Sequence, residues 1–252
     1  MRHPHEGEHH AACSGTISGL FSRCHLDDHA ADESGTNEAH GGARLAGGVN
    51  EILPGVFHWI VRHERIGIDV SSYYFSRERV AIDPMLPAEG LAWFEERGAP
   101  TAILLTNRHH YRASGAYVDA FSCTVHCHRA GLHEFSKGES VEPFDFGAEL
   151  PGGAVACKVG AICPEESALH FPAHRALAFA DGLIREGDGP LGFVPDFLLG
   201  EDPASVKVGL LASFRMLLEL DADHVLLAHG NPIVGGGTGA LREFVKTVGA
   251  SA

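Results

Sequence analysis

A chain of 252 residues is long enough to bury a substantial core, as one large domain or two small ones. Its 33 acidic against 19 basic side chains give a formal net charge of -14, which argues against nucleic acid or an anionic membrane as a partner, because both need basic surface. No apolar run approaches the ~18 residues of a membrane span, and Met1-Arg2-His3-Pro4-His5-Glu6 lacks the apolar stretch of a secretory signal, so a cytoplasmic location is expected.

Residues 1–45 differ in texture from the rest. They hold His3, His5, His9, His10, His25, His29 and His40 among Gly, Ser and acidic residues, with almost no periodic apolar pattern. Such a composition does not offset the entropy of ordering, and a flexible His-rich tail is predicted. A metal-gathering tail is the alternative, since imidazole is a good ligand for zinc, nickel and copper.

From Val49 the pattern becomes globular, and residues 46–252 are assigned to one domain. Val56 to Val61, Gly67 to Phe75 and Val80 to Ile82 read as strands, the last closed by the turn signal Asp83-Pro84. Leu91 and Phe94 mark a short helix, and Ala102 to Leu105 the next strand. A helix over Gly115 to Phe121 and a strand over Thr124 to His128 follow. The β pattern continues through Ala154 to Val159, Ala168 to Phe171 and Ala176 to Ala180. A helix from about Ala204 to Leu218 puts Val206, Leu210, Phe214 and Leu217 on one stripe, a core face. The strand Val225 to Ala228 and a helix over about Gly239 to Val248 complete the chain. Strands in a run, then strand and helix in alternation, predict a layered α/β sandwich and not a simple doubly wound sheet.

The cysteines read mainly as reduced thiols. On a strand, Cys123, Val125 and Cys127 share one face, which fits buried thiols. A zinc site from that pair plus His128 is the alternative, with no second cysteine pair at finger-like spacing to support it. Gly235-Gly236-Gly237-Thr238-Gly239-Ala240 loosely fits a dinucleotide fingerprint but leaves no room for the strand that should follow. Neither a serine-hydrolase elbow nor a phosphate-binding loop of the Walker type is present.

The stretch richest in chemistry is Ile103-Leu104-Leu105-Thr106-Asn107-Arg108-His109-His110-Tyr111-Arg112, an apolar strand that empties into imidazole and guanidinium groups. It resembles the Thr-His-x-His-x-Asp-His motif of the metallo-β-lactamase superfamily, with Asn107, His109, Tyr111 and Arg112 at the usual ligand positions. Ile82-Asp83-Pro84, Ala178-Phe179-Ala180-Asp181-Gly182 and Ala228-His229-Gly230-Asn231-Pro232 are similar to three further landmarks of that family, in the same order. The resemblance implies a four-layered αββα sandwich. It also implies that His109, Asp181 and His229 remain of seven customary metal ligands, with Ile162 standing where another histidine would be.

Two functional expectations follow from that reduced set. In the first, one zinc or other divalent metal is held by His109, Asp181 and His229, with water in the open position. Water then attacks an ester, thioester, amide or phosphodiester. Asp181, His110 and Arg112 are the catalytic candidates, and Arg108 and Arg112 hold an anionic part of a small substrate. Glu166, His170 or His174 are further candidates for a replacement ligand or general base. In the second, no metal is present, Arg112 pairs with Asp181, and the arginine-lined cleft binds a small anionic molecule or partner without catalysis. The segment Gly189 to Gly200, apolar but broken by Pro and Gly, reads either as a roof over the cleft or as a core-packing loop.

Overall fold

A computed structural model describes residues 48–250 of the chain. The tail expected over residues 1–45, with Cys13 and Cys24, lies outside the described residues. Two sheets carry the architecture. The first has seven strands in the order β1 (Asn50–Leu53), β2 (Val56–His63), β3 (Ile68–Phe75), β4 (Val80–Ile82), β5 (Ala102–Leu104), β6 (Thr124–His128) and β7 (Val141–Phe144). β1 to β4 pair antiparallel, and β4 to β7 pair parallel. The second has five strands, with β14 (His224–Leu227) beside β11 (Ala176–Phe179), then β10 (Ser167–Phe171), β9 (Ala154–Lys158) and β8 (Glu149–Leu150). β12 (Ile184–Arg185) and β13 (Leu191–Gly192) form a small hairpin.

Period-two alternation sorts the side chains into three cores. Val80, Ile82, Ala102 and Leu104 of the first sheet meet Leu169, Phe171, Ala178 and Leu226 of the second. Phe75 and Phe171 stack across that gap with ring centroids 4.1 Å apart. On the outer face of the second sheet, Leu177, Phe179 and Leu227 pack on α3 (Pro203–Leu217) and α4 (Gly237–Gly249). On the outer face of the first, Ala81, Ile103 and Val125 pack on α1 (Ala92–Glu95) and α2 (Ser114–Phe121). The layering is thus helix, sheet, sheet, helix, the αββα sandwich anticipated from the sequence. Cys123 and Cys127 are buried free thiols of the outer core.

Several short strands are not apparent in the sequence pattern. β7 contains Pro143 and Glu142 and survives because it is an edge strand, where a missing N–H does not break a ladder. The Gly189 to Gly200 segment is core-packing at Phe193, whose ring lies 5.1 Å from Phe244 and 6.5 Å from Phe214. Among the described residues, no helix is long and apolar enough to cross a membrane.

Strand direction fixes where the chemistry lies. β4 and β5 run parallel, so Asp83 and Thr106 emerge at one edge; β11 and β14 run parallel, so Asp181 and His229 do the same. Two backbone bonds tie the sheets together there: Ser71 N–H to the Ala228 carbonyl (2.9 Å) and Ser167 N–H to the Thr106 carbonyl (2.8 Å).

Candidate metal centre

The loop after β5 opens with a 3-10 turn, Arg108–Tyr111, capped by the Asn107 side chain, whose oxygen accepts from the His109 backbone N–H at 2.8 Å. The His110 N–H donates back to the Asn107 carbonyl at 3.2 Å, which folds the turn and brings the two side chains together. Both reach Asp181. Asn107 Nδ2 donates to Asp181 Oδ2 at 2.8 Å, and His110 Nε2 lies 3.3 Å from Asp181 Oδ1. His229 Nε2, from the end of β14, lies 3.0 Å from that same oxygen.

The second nitrogen of His110 is equally well held. Its Nδ1 lies 2.9 Å from Asp83 Oδ2, and Asp83 also accepts from the Thr106 N–H (2.9 Å) and hydroxyl (2.5 Å). Side-chain exposure grades across the cluster: Asp83 2%, His110 7%, His229 15% and Asp181 27%. The cluster therefore reaches solvent through Asp181 and His229, while Asp83 and His110 form its buried back.

Charge follows from that burial. Burial alone would lower the His110 pKa, but Asp83 and Asp181 outweigh it and raise it to about 9. Burial likewise works to raise Asp181, yet His110 and then His229 hold it well below the usual carboxylate range. Asp83 is also held down, by His110 and Arg112 against the effect of burial. Glu166 behaves in the opposite way. Burial first, and then the charge of Asp181, push it up to about 8, so it is protonated at neutral pH. Its Oε1 accepts from Gly182 N–H at 2.6 Å, beside the Asp181 position.

Two of the five non-glycine residues at positive φ among the described residues lie here. Asp83 (φ 45°) and Arg112 (φ 46°, ψ -117°) are non-glycine residues at positive φ, each costing roughly 1–3 kcal/mol that the surrounding contacts must offset. Gly230, next to His229, has φ 96°, and a Cβ there would stand 2.1 Å from the Arg185 carbonyl oxygen. Only glycine fits that turn, which sets the His229 ring against Asp181.

The positions expected from the sequence are thus partly regrouped. Asp181 and His229 meet as anticipated, but His110, not His109, completes the group: the three residues offer ligand atoms all within 4.8 Å of one another. His109 contributes its backbone N–H to the turn, and its ring is not in that group. The resemblance to the metallo-β-lactamase motif put His109 at a ligand position; the turn after Asn107 brings in its neighbour His110 instead.

The arginines are also reassigned. Arg108, expected to hold an anionic substrate, is 8% exposed and ion-paired internally with Glu165, with Glu134 at 3.8 Å. The expected Arg112–Asp181 pair is replaced by two bonds from Arg112 Nη1 to the carbonyls of Ser71 (2.7 Å) and Asp83 (2.8 Å). Arg112 still acts electrostatically on Asp181 and Asp83. His170 is a buried sheet histidine with Nε2 3.1 Å from the Asp221 carbonyl oxygen. His174 stands at the opposite end of β11 from Asp181, 2.8 Å from Glu78.

Asp83 and Asn107 are the site residues whose roles the sequence did not reveal. A signal existed for Asp83: the strand ending in Asp-Pro pairs parallel with the strand of the main motif, which brings their ends together.

Two imidazole nitrogens and one carboxylate oxygen, with a carboxylate behind one imidazole, suit a single divalent cation of the zinc type. Among the described residues no second group of three or more such side chains brings its ligand atoms equally close together.

No protein-family model matches the chain, and no curated protein matches it. Solved structures do match. The chain is similar to a metallo-beta-lactamase family protein from Thermus thermophilus, at 17% identity over 79% of this chain and 81% of that one, with a TM-score of 0.55. It is similar to DIM-1 metallo-beta-lactamase at 11% identity, over 81% and 100% of the two chains, with a TM-score of 0.61. A protein crystallised in a di-iron-bound form shares 23% identity over 77% and 96%, with a TM-score of 0.50. At such identities the likeness carries the fold: the described residues adopt the metallo-β-lactamase fold.

Proposed function

We propose that the chain is a hydrolase-like protein that uses at most one divalent metal, held by His110, Asp181 and His229, to cleave an ester, thioester, amide or phosphodiester bond. The observation that carries this reading is the convergence of three ligand atoms from three separate loops within 4.8 Å, at the solvent-reaching end of a buried hydrogen-bond chain. A cation bound there would supply Lewis-acid polarisation and activation of water.

The chain's own residues have distinct tasks. Asp83 accepts from His110 Nδ1, so that a cation displacing the proton now shared between Nε2 and Asp181 would meet the Nε2 lone pair. Asn107 holds Oδ2 of Asp181 and so aims Oδ1 at the two imidazoles. Glu166, buried and accepting from the Gly182 N–H, holds the backbone beside Asp181 in place. Arg112 supplies positive charge for an anionic part of the substrate.

A second reading, a metal-free binding protein, is favoured by one observation. Both oxygens of Asp181 are already hydrogen-bonded, to Asn107 and to His229, so the carboxylate is satisfied without a cation.

Metal content of the full chain separates the two. Wild type and the variants Asp181→Ala and His229→Ala all keep the histidines of residues 1–45, so metal gathered there cancels in the difference. The hydrolase reading requires about one equivalent to be lost in each variant, together with ester or phosphodiester cleavage. Equal metal content in all three proteins would leave the binding protein.

A further inference from the structure

A groove of about 600 Å³ lies beside the cluster, and Arg112, which lines it, donates to the Asp83 carbonyl at the back of the cluster. The tip of the β2–β3 hairpin contributes Arg62, His63 and Arg65, while Met85, Leu86 and Ala113 line it from the neighbouring loops. This volume falls in the range of small-molecule sites, although the groove is open to solvent and its four apolar residues share the lining with five charged or titratable ones.

The charge in this groove is opposite to that of the chain. Three guanidiniums against one carboxylate, Glu64, line a space in a protein of formal net charge -14. Two of these arginines, Arg62 and Arg112, are disposed to receive an anion. Arg62 reaches Asp69 at 3.5 Å, but both side chains are about two-thirds exposed, so an incoming oxyanion competes with a weak pair. Arg112 is fixed in place through Nη1 alone, and its buried Nη2 has no hydrogen-bond partner among the described residues. A guanidinium held rigid by backbone carbonyls loses little further entropy on meeting a carboxylate or phosphate. His63 is held below its ordinary pKa by burial, Arg112 and His110, so it offers a neutral N–H or lone pair and not a further charge.

We infer that this groove is the substrate's anion subsite: it takes the carboxylate or phosphate of a small organic molecule whose apolar body lies on Val61, Met85 and Leu86. The inference rests on the neighbouring His110–Asp181–His229 group being the reaction centre, since the substrate must span from Arg112 to that group. It makes the substrate an anion at an end that is not cleaved.

Calorimetric titration of the full chain at pH 8, where the histidines of residues 1–45 are largely neutral, tests it. Phenyl phosphate, benzoate and neutral benzyl alcohol are the probes, first in EDTA and then with zinc. The expected result is binding of an anion, but not of benzyl alcohol, in EDTA, weakened about tenfold in the Arg62→Ser/Arg65→Ser double variant. The single variant Arg62→Ser should show a smaller loss, and Arg129→Ser, on another surface, none. The comparison of phenyl phosphate with benzoate tells which oxyanion is preferred. Benzyl alcohol binding as well as the anions, or unchanged anion binding in the double variant, overturns the subsite. If anion binding needs zinc and ignores both arginines, the anion sits on the metal: the subsite falls while the reaction centre stands. If arginine-dependent binding persists in EDTA and Asp181→Ala loses no metal, the subsite stands and the hydrolase reading falls.

Discussion

The loop after β5 and the loops after β11 and β14 supply the same cluster by different geometries. Asp181 and His229 each lie two residues beyond a strand, and their positions are set by parallel pairing of β11 with β14. His110 sits within a 3-10 turn, six residues beyond β5, where a capping side chain and an Asp83 carboxylate decide which face turns inward. Side chains next to a strand end inherit the sheet's precision. Those inside a turn depend on local hydrogen bonds, and a shift of one residue exchanges one imidazole for its neighbour.

The contrast between His110 and His109 is the sharpest way to break that comparison. His110→Ala should abolish the cluster's metal uptake, a loss beyond the roughly 10–100-fold of an outer-shell change, whereas His109→Ala should retain it. Competitive zinc titration against a chromophoric chelator measures both, after subtraction of the uptake seen in Asp181→Ala.

Glu166→Gln probes the strand-end side through its Gly182 contact. A carboxyl whose folded pKa is raised to about 8 from an ordinary 4.5 favours folding fully below the unfolded value. That contribution is lost as pH rises from about 4.5 to about 8. Gln keeps the acceptor for Gly182 and carries no charge, so the variant should equal wild type near pH 4.5. It should become more stable as pH rises, by a few kcal/mol at most, and level off above about pH 8. Urea denaturation across pH 5–9 reads the difference; a variant less stable at pH 9 than wild type would contradict the raised pKa.

Asp83→Asn weakens the support behind His110 without removing a ligand, and should cost about 10–100-fold in metal affinity with ligand identity preserved. The smallest effect belongs to Asn107→Ala, which loses the cap of the turn and one bond to Asp181. About 0.5–2 kcal/mol of stability is expected from the cap, with a modest fall in metal affinity, checked by thermal unfolding and the same titration.

Much of this was legible in the sequence, and the reasons differ by element. Strands such as Val80–Ile82 and Ala102–Leu104 are short, apolar and bounded by turn residues, and they pack on both faces, so their composition identifies them. β7 was obscured because Pro143 breaks the pattern that an interior strand would show, and β8, β12 and β13 are only two residues long. Asp181 and His229 could be named because each lies just past an apolar strand in a stretch that resembles a landmark of the metallo-β-lactamase family. The choice of His110 could not, since Asn107 capping a 3-10 turn and Asn107 ending an extended strand look alike until Asp83 is in place. Arg108 misled for a related reason: nothing near it in sequence reveals Glu165, 57 residues away, as its partner.

Crystals of the full chain soaked in zinc, with data collected across the zinc absorption edge, interrogate the cluster most directly. The result required is one anomalous peak about 2.0–2.2 Å from His110 Nε2, an Asp181 oxygen and His229 Nε2. A peak ligated by His109, or an intact hydrogen-bonded cluster with no zinc at millimolar soak, would contradict the proposed centre.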